Sequence, residues 1–284
     1  MPGIVFMVLL AVTGFAANSI FARLALGTAE IDAAGYTGVR LLAGAATLAL
    51  LLARRRRLAL GEAFRTPSRW VTAAALFGYA IAFSFAYELL DTGMGALILF
   101  TTVQTGMLGW AMLKGDRPGP LALSGIAVAF GAFVYLVSPG LVAPHPLGAA
   151  LMIGAGLCWA VYSVLGRGSS EPLADTAYNF ILTVPVALLL VAVSLFQAAP
   201  SPAGLGWAIA SGALASGIGY AIWYRALPLI SRSTGAIVQL TVPVIAATGG
   251  IVFLGEVLTW RLGIASALIL GGVAVAIIAR KRPA

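Results

Sequence analysis

Long uncharged apolar stretches, separated by short polar loops, run through the whole chain. They cover residues 1–22, 70–87, 92–113, 118–144, 146–166, 233–255 and 262–279. Residues 176–224 also carry no charge, which is too long for one crossing, and Ala199-Pro200-Ser201-Pro202 divides them in two. A further apolar window at 33–53 contains one charge, Arg40. About 20 apolar residues suffice for a helix to cross the hydrocarbon core, so the pattern predicts ten spans. Backbone polar groups in lipid must be satisfied internally, and continuous apolar runs favour helices over the alternating strands of a barrel. The expected fold is an all-α integral membrane protein. The N-terminal run lacks a basic leader and a cleavage site before a soluble domain, so it reads as the first span.

Composition agrees: 61% of residues are hydrophobic and 9% charged, with mean hydropathy +1.02, against about 25% charged in a soluble domain. The net charge of +8 would suit nucleic acid, but the basic residues sit in the short loops between spans. With the N-terminus in the cytoplasm, fourteen Lys and Arg fall inside, among them Arg54–Arg57, and Arg23 and Arg261 fall outside. That is a strong positive-inside bias, and it places both termini in the cytoplasm. One cysteine, Cys158, excludes an intramolecular disulfide and a CxxC site. No HExxH, GxSxG or P-loop occurs, and the single His145 lies among prolines. The expectation is a protein without catalytic residues, metal or cofactor.

The chain also resembles itself. Gly95-Ala96, Thr101, Gly115-Asp116 and Gly131 recur 140 positions later as Gly235-Ala236, Thr241, Gly255-Glu256 and Gly271. Phe83, Tyr87 and Leu90 match Tyr220, Tyr224 and Leu227 at a spacing of 137. Residues 1–140 then hold spans one to five and residues 141–284 spans six to ten, with the Pro-rich stretch 139–146 as outer linker. An odd number of helices per half inverts the second half, as in many secondary transporters, whose substrate site lies at the midplane between the repeats.

Aromatic residues recur on helical faces: Tyr79, Phe83 and Tyr87 on the third span, Tyr220, Trp223 and Tyr224 on the eighth, Trp159 and Tyr162 on the sixth. They fit the wall of a cavity for apolar, aromatic or cationic organic molecules, or helix-packing bulk and interfacial belts. Asn18, Gln104, Asn179 and Gln239 carry amides that hydrocarbon cannot satisfy, which either pair between helices or face a cavity. Pro243 frees the carbonyl of Gln239, and Pro185 that of Ile181. Arg40 needs a partner at depth. Glu88 and Asp91, near its level, make a structural ion pair one reading; a gate or a substrate-carboxylate contact is the other. Ala208-Gly212-Ser216 and Ser211-Ala215-Gly219 place small residues every four positions, allowing close helix approach.

Tyr224-Arg225-Ala226-Leu227, Val242-Pro243-Val244 and Phe253-Leu254-Gly255-Glu256, on ten spans in two halves, resemble the drug/metabolite transporter superfamily. Its EamA-type branch fits best, and YddG-like amino-acid exporters are similar in size and layout. The first half departs from that pattern, with Val103-Gln104 where a proline is expected and Lys114-Gly115-Asp116 for Leu-Gly-Glu. The resemblance implies a basket in which spans one to four and six to nine surround a central cavity, and export of amino acids or related metabolites. Glu256 reads as a helix-end residue without a substrate role. The resulting expectation is an inner-membrane secondary transporter, with lipid and a small molecule as partners and no nucleic acid. It works by alternating access, with Tyr79, Phe83, Trp159, Tyr162, Tyr220 and Trp223 as cavity walls and Asn18, Gln104 and Gln239 as polar contacts. A multidrug or nucleotide-sugar carrier of the same fold, or a non-transporting scaffold, are the rivals. Topology is directly testable: alkaline phosphatase, active only outside the cytoplasm, should be active when fused after Pro139 and silent when fused after Ala284. The reverse pattern would overturn the orientation.

Overall fold

A computed structural model describes residues 2–54, 64, 66–115, 117–140, 143–166, 169–197, 199–230 and 232–279. The helices are α1 (Pro2–Leu26), α2 (Ala33–Arg54), α3 (Pro67–Tyr87), α4 (Thr92–Leu113), α5 (Pro120–Val137), α6 (Pro146–Leu165), α7 (Pro172–Leu182), α8 (Val184–Gln197) and α9 (Pro202–Ala210). A π-helical stretch, Ser211–Ile218, joins α9 to α10 (Gly219–Ala226), and α11 (Arg232–Gln239), α12 (Thr241–Leu254) and α13 (Trp260–Ala279) follow. No strand occurs among the described residues. Of these, nine helices are long and apolar enough to cross a membrane, ten when α7 and α8 form one bent span. The chain is an all-α, multi-pass membrane protein. The boundary expected at 140–141 adjoins residues outside those described, as do most of the Arg54–Arg57 run and Asp116.

Proline sets several boundaries. Helices α3, α5, α6, α7 and α9 begin on one, where its fixed φ suits the first turn and its missing N–H is not needed. Inside spans it breaks the ladder. Helices α7 and α8 meet at 44° at Thr183, where Pro185 cannot donate to Ile181. Helices α11 and α12 part at Leu240, three residues before Pro243. Gly115 and Gly255, 140 positions apart, both have left-handed backbone (φ 93° and 68°) just past the ends of α4 and α12.

Helix α1 packs on the eighth span and α12, while α6 packs on α3 and α4. Helix α2 lies against α7 and α8, α4 against α12, and α5 against α13. Partners of α1 thus correspond, at the repeat spacing, to partners of α6. Small residues set the tightest crossings. A Cβ at Gly125 would lie 2.5 Å from the Gly272 carbonyl oxygen, and one at Gly272 would lie 2.5 Å from the Gly125 carbonyl. On the eighth span a Cβ at Gly212 would strike the backbone carbonyl of Arg40. The close approach expected of the small residues there is what the structure shows.

Ionic and capping contacts tie the two ends. At the end of the bundle carrying Arg23, Glu256 accepts from the Thr92 N–H (2.8 Å) and hydroxyl (2.7 Å), capping α4 from the other half of the chain. Arg23 reaches Asp91 (3.4 Å), Glu256 (3.7 Å) and the Tyr87 carbonyl (3.2 Å). Arg261 donates to the Tyr135 carbonyl (2.5 Å) and to Ser138 at the C-terminal end of α5. At the opposite end Arg69 pairs with Asp175 (3.2 Å) and lies over the Tyr178 ring (4.6 Å).

The α5–α13 crossing generates a prediction. Gly272→Val forces side-chain atoms into backbone that cannot yield, and should lower stability by about 1–3 kcal/mol, the usual cost of overpacking. Gly131→Ala, with nothing within 4 Å of the new Cβ, should be neutral. Equal melting temperatures for both variants in detergent would contradict the packing described.

Candidate functional site

Arg40 sits on α2 and is 2% exposed. Nη2 donates to the Tyr79 hydroxyl (3.0 Å), and the guanidinium lies over the rings of Phe83 (4.7 Å) and Tyr79 (5.3 Å). Counting 1.5 Å per residue along α2, it lies about 12 Å from the level of Asp32 and about 18 Å from that of Leu52, well inside the bilayer. Its partners differ from those expected. Asp91 is taken by Arg23, and Glu88 accepts from the Ala33 N–H (3.1 Å). Both carboxylates stand at the end of the bundle, about two turns above the guanidinium, so no ion pair with Arg40 forms. Among the described residues no carboxylate lies within ion-pair distance of it.

The rings return part of the lost hydration, about 2 kcal/mol for a desolvated cation–π contact, and a hydrogen bond to a charged group contributes about 1.5–3 kcal/mol. Nη1 nonetheless has no acceptor. A buried charge left without its counterion costs about 3–5 kcal/mol. The tyrosine hydroxyls of residues 36, 79 and 220 all lie close enough to interact with the guanidinium electrostatically, yet the Tyr36 hydroxyl itself is buried without a hydrogen bond.

Around Arg40 the predicted aromatics form one connected cluster. Tyr79 meets Phe83 (5.4 Å between centroids) and Trp159 (4.7 Å). Trp159 stacks on Tyr162 (5.0 Å) and on Tyr220 (5.6 Å). The third, sixth and eighth spans thus converge on the Trp159 ring. Among the described residues, Trp223 joins the cluster through Phe15, which touches both Tyr220 and Trp223 at 5.6 Å. Phe15, Phe180 and Tyr36 were not singled out by the sequence. Tyr36 and Arg40 share a face at a spacing of four, and that spacing could have found Tyr36.

The polar candidates divide. Asn18 is buried and accepts from Ser211 (2.8 Å) and Ser216 (3.4 Å) in the π-helical stretch, so its carbonyl holds α1 to the eighth span. Asn179 bridges Thr72 (2.9 Å) and Tyr162 (3.4 Å). Gln104 is buried in α4, and Gln239 is half-buried at the break before Leu240. Among the described residues no hydrogen bond links either glutamine to the ring cluster.

Two cavities open at opposite ends of α2. One, about 390 Å³, is lined by Leu26, Ile31, Asp32, Glu88 and Pro200. The other, about 300 Å³, is lined by Leu52, Glu171, Leu173, Tyr224 and Arg225. Burial, with Asp32 nearby, holds the Glu88 carboxyl above its ordinary range despite the opposing pull of the Ala33 N–H. Where the sequence places a midplane cavity, rings and guanidinium pack on one another between these two openings. The residues expected to wall the cavity touch one another there, with Trp159 only partly buried.

Comparison with known proteins gives four results. The profile of the EamA-like transporter family matches residues 146–278. Uncharacterized protein PA1977 of Pseudomonas aeruginosa is 48% identical over 95% of this chain and 92% of its own. The threonine/homoserine exporter RhtA of Escherichia coli K12 is 28% identical over 81% of this chain and 76% of its own. A crystal structure that is 22% identical superposes over 96% of this chain and 99% of that one with a TM-score of 0.65, which speaks to fold alone.

Proposed function

Because the chain belongs to the EamA-like transporter family, we propose that it exports small metabolites, foremost apolar or aromatic amino acids, across the bacterial inner membrane by alternating access. The observation that carries this reading is the Trp159 junction, where rings from the third, sixth and eighth spans meet at the midplane. Those spans come from both halves of the chain. A rocking motion of one half against the other parts Trp159 from its neighbours and opens a site for an apolar side chain of similar size. The two halves, 1–140 and 141–284, act as inverted repeats in this scheme, supported by the corresponding helix partners and by the paired left-handed glycines 115 and 255.

End-on contacts supply the gates. On the face expected outside, Arg23 bridges Asp91 and Glu256. On the face expected inside, Arg69 bridges Asp175. Both pairs are formed here. Breaking and remaking these pairs once per transport cycle is what the scheme requires of them. The name of RhtA supports an amino-acid cargo, and it brings threonine and homoserine into the test beside the aromatic class.

Proteoliposomes loaded with labelled phenylalanine, leucine or threonine provide that test. Flux of at least one is expected. Trp159→Ala and Tyr220→Ala should each cut apolar flux by roughly tenfold or more, given about 1.5–3 kcal/mol of lost contact per side chain. Absence of flux for every amino acid, or flux untouched by either substitution, would remove the reading.

A further inference from the structure

Two buried polar groups at the centre of the bundle lack what their chemistry asks for. Arg40 carries a full positive charge, is 2% exposed, and its Nη1 has no acceptor. One turn before it on the same face of α2, the fully buried hydroxyl of Tyr36 is without a hydrogen-bond partner. Several of the groups around them are already engaged, and the Ser211 hydroxyl beside Tyr36 is the neighbour with acceptor capacity to share. Tyr79 accepts from Arg40 Nη2, Ser211 donates to Asn18, and the nearby carboxylates belong to Arg23 and to the Ala33 N–H.

The kind of ligand that answers both deficits is narrow. A neutral amide or hydroxyl supplies an acceptor for Nη1 but leaves the charge uncompensated. A cation is repelled. A carboxylate supplies the negative charge and, with two oxygens, an acceptor for the planar guanidinium together with one for the Tyr36 hydroxyl. The rings around the site are set for the rest of such a molecule, since Tyr79 bonds Arg40 on one side and touches Trp159 on the other. We propose that Arg40, assisted by Tyr36, binds the carboxylate of the transported molecule and makes the protein selective for carboxylates over the corresponding amines. This rests on the transport reading given above and names the polar half of the same site. Arg40 is the specificity-determining residue, and the Trp159 junction takes the apolar half.

Three probes that share one ring separate the possibilities: phenylalanine, phenylpropionate (the acid without the amine) and phenylethylamine (the amine without the acid). With the full-length protein in detergent, phenylalanine and phenylpropionate should raise the melting temperature and phenylethylamine should not. In Arg40→Gln both carboxylates should bind roughly thirtyfold or more weakly, the scale of removing one partner from a buried charge pair. Tyr36→Phe should show a smaller loss in the same direction, about tenfold. If Arg40→Gln fails to fold, the wild-type ranking and Arg40→Lys decide, since lysine keeps the charge, loses the fork and should retain partial selectivity. Phenylethylamine binding as well as phenylpropionate to the wild type, or carboxylate affinity unchanged in the Arg40 variants, overturns the proposal. Phenylalanine flux that is identical in wild type and Arg40→Gln leaves the transport reading standing and removes the carboxylate site. Arg40-dependent binding of phenylpropionate without flux of any amino acid does the opposite. Failure of all three probes to bind at millimolar concentration removes both.

Discussion

A guanidinium fixed in the hydrocarbon with no carboxylate beside it constrains everything packed around it. Arg40 is held there by the hydrogen bond that Tyr79 accepts from it, and by the faces of Tyr79 and Phe83, which offer negative quadrupole to the cation. Those contacts pin α3 to α2. Tyr79 in turn touches Trp159, and Trp159 meets Tyr162 and Tyr220. The charge on α2 therefore holds rings from three spans in one cluster. A ligand that satisfied the charge would compete with Tyr79 and Phe83 for the same cation.

Small residues make that arrangement possible. The backbone of the eighth span reaches the backbone of Arg40 at Gly212, inside a π-helical stretch whose extra residue per turn displaces the regular ladder. Ser211 and Ser216 in that stretch both donate to Asn18, which compensates locally for the irregularity. Helices α5 and α13 cross through Gly125 and Gly272, backbone against backbone. Glu256 caps α4 across the boundary between the halves. Close backbone crossings lie at the edge and a polar, irregular seam lies at the centre.

The ten crossings were legible because lipid leaves little choice: long uncharged runs must become helices, and the prolines at 67, 120, 146, 172 and 202 mark where they start. The breaks at Thr183 and Leu240 were legible too, since Pro185 and Pro243 each remove a specific donor. The meeting of Tyr79, Trp159 and Tyr220 followed from their shared depth on three helical faces. What a single helix's periodicity cannot report is rotation relative to distant neighbours. That is why Glu88 and Asp91 looked like partners for Arg40 by depth, although Asp91 turns to Arg23 and Glu88 to the start of α2. The same lack of rotational information hid Phe15 and Phe180, and left Asn18 open between a cavity contact and the interhelical role it fills. How closely the rings meet at the midplane depends on their rotamers, and sequence carries no rotamers.

The most direct measurement of the central claim is a structure of the protein with a transported carboxylate bound. The account predicts carboxylate oxygens at hydrogen-bonding distance from Arg40, about 2.7–2.9 Å, with Trp159 moved off Tyr220 to admit the side chain. A ligand lodged in either end cavity, with the guanidinium still packed against Tyr79 and Phe83, would contradict it.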